Sequence, residues 1–257
     1  MSRVADNFEA DYKLRQKVKS AMTYPVVVAG IAVILLTVML IFIVPTFAGM
    51  FTSLGGELPL PTKILMMLSN QARILVPLFI VGAIVGRIGY KKGRAASPDF
   101  KLRTDRLKLK IPIFGELFQK VAVSRFTRTL GLLLRAGVPV LQALDIVGDS
   151  TGNEVLARAS NAVKESVRSG ESMASPLAKQ EVFPPMVVQM IAVGEDTGAL
   201  DAMLDKIADF YDQEVESTTE ALTSLIEPLM IAVLGGIVGA MVIALYMPMF
   251  KIFDLIK

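Results

Sequence analysis

Residues 228–250 are 23 consecutive positions with no ionisable side chain other than Tyr246, and a charged amphipathic stretch leads directly into them. At a rise of about 1.5 Å per residue, such a run crosses a bilayer as a helix. Upstream, Gly194-Glu195-Asp196-Thr197-Gly198 reads as a compact turn. Beyond it Leu200, Leu204, Ile207, Tyr211, Val215, Thr218, Leu222 and Leu225 recur three or four residues apart, which places them on one face of a helix. The other face is acidic, and the charges stop at Glu227-Pro228. The pattern predicts a water-exposed helix that runs straight into a membrane helix, and the rest of the chain must fold around that junction.

Composition agrees with a mixed protein. Hydrophobic residues make up 53% of the chain and mean hydropathy is +0.55, too apolar for an ordinary aqueous domain, yet 20% of residues are charged. There is no cysteine and no histidine, which removes disulfides, Cys/His zinc sites, thiol nucleophiles and imidazole bases together. The Walker-type phosphate loop is absent as well.

Two further spans are expected. Residues 26–51 carry no charge, after a polar lead too long and too mixed in charge for a signal peptide. Residues 74–86 are apolar, with Arg87 able to snorkel to the interface and amphipathic turns ahead of them. The expected organisation is therefore a polar segment 1–23, a span 24–51, an external loop with amphipathic turns 52–73, and a span 74–90. A cytoplasmic helical domain 91–224, a span 225–250 and an external tail 251–257 follow. Orientation rests on Lys13, Arg15, Lys17 and Lys19 before the first span and Lys91, Lys92, Arg94, Lys101 and Arg103 after the second. By the positive-inside rule these flanks are cytoplasmic and the loop between the spans is outside.

Every signal in 91–224 is helical. Leu117, Phe118, Val121, Phe126, Leu130, Leu133 and Leu134 form a run closed by Gly137, and Pro139 restarts a short helix through Val147. Asn153 is an N-cap for a helix closed by Gly170, a short piece covers about 172–179, and Pro184-Pro185 opens another to about Glu195. The expected fold is an all-α membrane protein with three transmembrane helices and one antiparallel helical bundle. Charge divides the bundle: residues 87–128 hold twelve bases against three acids, and residues 195–220 hold nine acids against one base, Lys206. These read either as solvated faces or as two electrostatically distinct docking surfaces.

The chain also repeats itself at an offset of 203. Val4-Ala5-Asp6-Asn7-Phe8-Glu9-Ala10-Asp11 aligns with Ile207-Ala208-Asp209-Phe210-Tyr211-Asp212-Gln213-Glu214, Pro25 with Pro228, Pro45 with Pro248 and Phe47 with Phe250. A whole helical domain precedes the second copy and only three residues precede the first, so a two-repeat protein lacking its first cytoplasmic domain is the expectation. Ala232, Gly236 and Ala240, and likewise Gly235 and Gly239, sit four apart, a spacing that permits close helix approach in lipid, between copies or within the chain. No catalytic, cofactor-binding or metal-ligating set is expected, and nucleic-acid binding is poorly supported because the basic stretch lacks interleaved aromatics.

In order along the chain, the motifs are Leu58-Pro59-x-Pro61-Thr62, Arg125-Phe126-Thr127-Arg128-Thr129-Leu130, Leu133-Leu134-Arg135-Ala136-Gly137-Val138-Pro139 and Gly170-Glu171-Ser172. Phe183-Pro184-Pro185, Gly194-Glu195-x-Thr197-Gly198-x-Leu200 and Glu227-Pro228 complete them. In that order they resemble the type II secretion F / type IV pilus C family of inner-membrane platform proteins. The resemblance implies a non-enzymatic scaffold without cofactors. Its implied partners are a cytoplasmic hexameric assembly ATPase, pilin or pseudopilin subunits, other inner-membrane assembly proteins, membrane lipid and further copies of itself. It nominates Arg125, Arg128, Gly137, Pro139, Gly194, Glu195, Thr197, Gly198, Leu200, Glu227 and Pro228 as motif or contact residues. Glycines permit the 194–200 turn, and Glu195 is placed to cap the helix after it. A membrane-tethered binding scaffold unrelated to fibres is the alternative.

Overall fold

The computed structural model describes residues 2–53, 58–112 and 114–255, and side chains within 12–13, 16–53, 58–112 and 114–250. Gly55, Gly56 and Glu57 of the expected loop and the side chains of the tail 251–257 lie outside the described residues. Helices account for nearly all of the described chain, with no strand among the described residues. In order they are α1 (Ser2–Val38), a π-helical turn (Met39–Ile43), α2 (Val44–Ser53), α3 (Leu60–Ala96), α4 (Pro98–Leu109) and α5 (Phe114–Arg135). Then come α6 (Val140–Ser150), α7 (Glu154–Arg168), α8 (Ala174–Ala178), α9 (Pro185–Thr197) and α10 (Leu200–Leu255). Three stretches, Gln16–Ser53, Leu60–Ala96 and Leu200–Phe250, are long and apolar enough to cross a membrane. The second takes in the amphipathic turns ahead of residue 74, so both belong to one helix.

The chain divides into two compact units, Met1–Ala21 with Lys91–Leu222, and Met22–Tyr90 with Thr223–Lys257.

The first unit is a helical bundle around one apolar core. Phe126, Leu130, Leu144, Leu156, Leu177, Ile191, Leu204 and Ile207 are fully buried in it, and Phe183 meets Phe126 edge-on with ring centroids 5.0 Å apart. Each such side chain contributes roughly 2 kcal/mol by leaving water. α6 and α7 pack as an antiparallel hairpin, in which Ser160 donates to the carbonyl of Leu144 at 2.6 Å. The helix ends carry the chemistry expected of them: Asn153 accepts from the Val155 N–H at 2.9 Å at the start of α7. Gly137, Gly170 and Gly198 have φ of 79°, 82° and 66°, and each closes its helix with the paired backbone bonds of a Schellman turn. Apolar periodicity gives no sign of α4. Only Ser97, which accepts from the Phe100 N–H at 3.4 Å, and Pro98 at the first helical position mark its start.

The second unit holds the apolar helices. Val44, Met241 and Leu245 are buried together, with Leu36, Leu40, Phe47, Leu65 and Met66 packed on them. Elsewhere large apolar side chains such as Val33, Phe79 and Ile231 point outward, as side chains facing acyl chains do. No described atom lies within 4 Å of where a Cβ on Gly235, Gly236 or Gly239 would stand, so the small-residue stripe is unpacked within the described chain.

The repeat-related prolines are treated alike here. Pro45 cannot donate to the carbonyl of Ile41, and Pro248 cannot donate to that of Ala244. Arg73 donates to the Ile41 oxygen at 3.2 Å and Thr62 to the Ala244 oxygen at 2.6 Å. Thus one helix, α3, supplies both replacement donors. The wide π turn directly before Pro45 gives its ring room.

Candidate partner-docking site

α5 and α10 are joined by a ladder of charges. Lys120 pairs with Glu116 at 2.7 Å and Glu214 at 2.8 Å, and donates to Thr218 at 2.9 Å. Arg128 pairs with Asp209 at 3.1 Å and with Asp212, to which Ser124 also donates; Arg135 pairs with Asp205. The ladder is continued by Lys17 of α1, which pairs with Glu216. The reading of two separate charged faces is revised in part: Lys120 and Arg128 of the basic stretch meet acids of α10, while Asp196, Asp209 and Glu220 of the acidic one remain exposed. Lys120, Arg128 and Arg135 of α5 lie against Glu214, Asp209, Asp212 and Asp205 of α10, because both sets flank the apolar stripe that buries Phe126 and Leu130 against Leu204 and Ile207. Of the α10 face read from periodicity, Leu204, Ile207, Tyr211, Val215 and Leu222 are buried, Thr219 takes the place of Thr218, and Leu225 is 68% exposed. The helix departs from that periodicity only where it leaves the bundle core.

Two of the motifs meet. The Glu195 carboxylate accepts from the Ser172 hydroxyl at 2.7 Å and from the Met173 N–H at 2.9 and 3.0 Å. Ser172 in turn accepts from the Ala174 N–H at 3.1 Å, and Ser166 donates to Glu171 at 2.7 Å. Glu195 therefore caps α8, which precedes it, and not the helix after it. The helix that follows begins at Leu200 beyond the glycine turn, out of line with a side chain in the last turn of α9. Gly194 is required by space. A Cβ there would stand 3.0 Å from the Leu200 Cα and 3.0 Å from the Met203 Cγ. Thr197 bonds back to the Val193 carbonyl at 2.7 Å, and Gly198 supplies the left-handed turn.

The remaining nominated residues are dispersed. Arg125 is partly buried on α5, Gly137 and Pro139 make the α5–α6 turn, and Pro139 is the N-cap of α6. Glu227 and Pro228 are exposed on α10 and belong to the second unit.

A centre that the motifs do not mark is Asp105, 2% exposed. It accepts from Arg94 at 3.1 Å, Lys108 at 3.2 Å and the Glu154 N–H at 3.0 Å, tying the end of α3, α4 and the start of α7. Nearby, a cleft of about 400 Å³ is lined by Arg106, Lys110, Gln119, Lys179 and Glu181, so its lining favours anions. Taken together, the bundle is a braced, charge-knit body with a basic cleft.

Comparison with known proteins agrees. The family described as type II secretion system (T2SS), protein F, matches residues 1–45 and 126–248. Those two segments end 203 residues apart, the offset of the internal repeat. The type IV pilus assembly protein PilC of Thermus thermophilus is 44% identical over 253 residues, covering 98% of this chain and 62% of that protein. PilC of Myxococcus xanthus is 42% identical over 252 residues, covering 98% of this chain and 60% of that protein. The type II secretion system protein F of Vibrio cholerae is 32% identical over 257 residues, covering 100% of this chain and 63% of that protein. The chain thus spans about three fifths of the length of these relatives.

Proposed function

The chain belongs to the type II secretion system protein F family, and from that premise we propose that it is the inner-membrane platform of a type IV pilus or type II secretion machine. In this reading residues 91–224 face the cytoplasm, where an assembly ATPase docks on the bundle. The spans hold pilin or pseudopilin as it leaves the bilayer for the fibre. The charge asymmetry of the flanking segments supports that orientation: Lys91, Lys92 and Arg94 follow the second span, and Lys13, Arg15, Lys17 and Lys19 precede the first. The observation that carries the proposal is α10, a single 56-residue helix that is core of the bundle at Leu204 and Ile207 and is apolar throughout 228–250. A displacement imposed on its first half is carried along its backbone. The sequence holds no nucleotide loop, so in this scheme a partner supplies the energy.

Pull-down of the detergent-solubilised protein with the assembly ATPase encoded beside it tests this. Binding that weakens at high salt is expected. Failure to bind at any salt concentration, together with wild-type piliation and secretion in cells lacking the protein, would leave a membrane-tethered scaffold unrelated to fibres as the better reading.

A further inference from the structure

Most cations of residues 98–222 are held by acids, as Lys101 is by Glu154 at 3.2 Å and Lys164 by Asp145. Arg103, Arg106, Lys110, Lys179 and Lys206 have no ion pair among the described residues. Three of these five, Arg106, Lys110 and Lys179, line the bundle cleft of about 400 Å³. They come from two segments: Arg106 and Lys110 from the end of α4, Lys179 from the end of α8. Arg106 and Lys110 stand four residues apart on one helix, a spacing at which like charges repel. The only acid in the lining, Glu181, is exposed and likewise has no ion pair among the described residues, so three cations against one acid leave the lining at +2.

The walls of the cleft are fixed by the fold. Gln119 of α5 donates to the Val182 carbonyl at 3.0 Å and to that of Glu181 at 3.4 Å, and Val182 itself is buried. On the other side Asp105 ties α4 to the start of α7, where Val155 stands. A site held open in this way spends little free energy on ordering when it binds. Leu109, Val155 and Val182 give the same cleft an apolar side.

We propose that this cleft binds a small phosphate ester. Its phosphate lies on Arg106, Lys110 and Lys179, its carbon skeleton lies against Leu109, Val155 and Val182, and Glu181 accepts from its hydroxyl groups. The charges match: a phosphate monoester carries about −1.5 to −2 at pH 7. It also presents three acceptor oxygens to three cations, whereas a carboxylate presents two oxygens and a single charge. The volume falls in the lower part of the range for small-molecule sites, roughly 300–1,000 Å³. The proposal goes beyond the platform reading and does not rest on it, because every lining residue belongs to the bundle unit and no partner protein takes part.

Calorimetric titration of the full-length protein in detergent tests it, with ribose 5-phosphate, ribose, sodium sulfate and N-acetyl-phosphoserine amide as probes. Saturable binding of ribose 5-phosphate is expected, with none of ribose and sulfate weaker by about ten-fold for want of a skeleton. Each lining cation removed weakens binding about ten-fold, so an Arg106→Gln, Lys179→Gln double variant loses about a hundred-fold. The same double variant, without ligand, melts no lower than the natural protein, since it breaks no ion pair. Lys206→Gln removes an unpaired cation outside the cleft and leaves the affinity unchanged. Glu181→Ala narrows the advantage of ribose 5-phosphate over sulfate. An absence of saturable binding overturns the proposal, and so does an equal loss in Lys206→Gln. Equal affinity for sulfate and ribose 5-phosphate means an adventitious ion only. Tighter binding of N-acetyl-phosphoserine amide than of ribose 5-phosphate overturns the small ligand in favour of a phosphorylated protein segment.

Discussion

At the scale of single residues, buried charge decides most. Asp105 has its carboxylate surrounded by Arg94, Lys108 and the Glu154 N–H. Replacing it with alanine strands a guanidinium and an orphaned helix N-terminus together, and costs about 3 kcal/mol of stability. Asp105→Asn keeps an acceptor for the Glu154 N–H and costs less. Thermal unfolding in detergent checks the order, and equal losses for the two would show that charge is irrelevant there. A second prediction concerns alkaline pH. Burial draws the Lys120 ammonium down, but the carboxylates of Glu116 and Glu214 outweigh it and hold the group above its usual value. Burial pushes the Tyr211 phenol up, with Glu214 adding to the rise and Lys120 opposing it. Both groups keep their protons longer in the folded protein, so the unfolded chain releases them first as pH passes about 10. The stability they contribute is complete below that point and is lost as pH rises through the folded values. A Lys120→Gln, Tyr211→Phe double variant has a flatter alkaline limb in thermal unfolding. An unchanged limb would place the loss elsewhere.

At the scale of elements, the prolines of the two repeats show how a helix inside a membrane accommodates a missing donor. Thr62 bonds the Ala244 carbonyl that Pro248 leaves open. Thr62→Val therefore costs about 1 kcal/mol in the natural background. Alanine at position 248 restores a main-chain N–H, and in that background the same change costs almost nothing. The double-mutant cycle, read by denaturant titration in detergent, gives the coupling directly. A cost that is identical in the two backgrounds would mean that the threonine compensates for nothing. Periodicity marked α5 and α10 well, because their apolar faces are wide and their ends carry glycine or proline. It missed α4, whose stability comes from the ion pairs of Asp105 and Lys101 and the Ser97 cap. No run of apolar residues announces such a helix.

At the scale of the whole molecule, α1, α3 and α10 each continue from one unit into the other, and α10 is the longest of them, with 56 residues. If it acts as the connecting strut, a flexible Gly-Ser insertion between Thr223 and Glu227 abolishes piliation or secretion while the protein still folds and reaches the membrane. Normal fibre assembly by that variant would rule out mechanical transmission through α10.

The amino-acid sequence by itself determined the three apolar helices, the helical class of the bundle, its glycine-closed ends and the repeat. All of these depend on neighbours within a few turns of the same helix, where spacing is legible. Only the tertiary structure decided which charges meet. The acids of 195–220 and the bases of 87–128 lie apart in sequence and read as opposed surfaces, yet α5 sets Lys120 and Arg128 against Glu214 and Asp212, and Arg135, beyond that stretch, against Asp205. Glu195 similarly reads as a cap for the helix after it and serves the one before. Local spacing carries the direction of an apolar face, but a carboxylate's partner depends on how whole helices pack, and that information is spread over the full core.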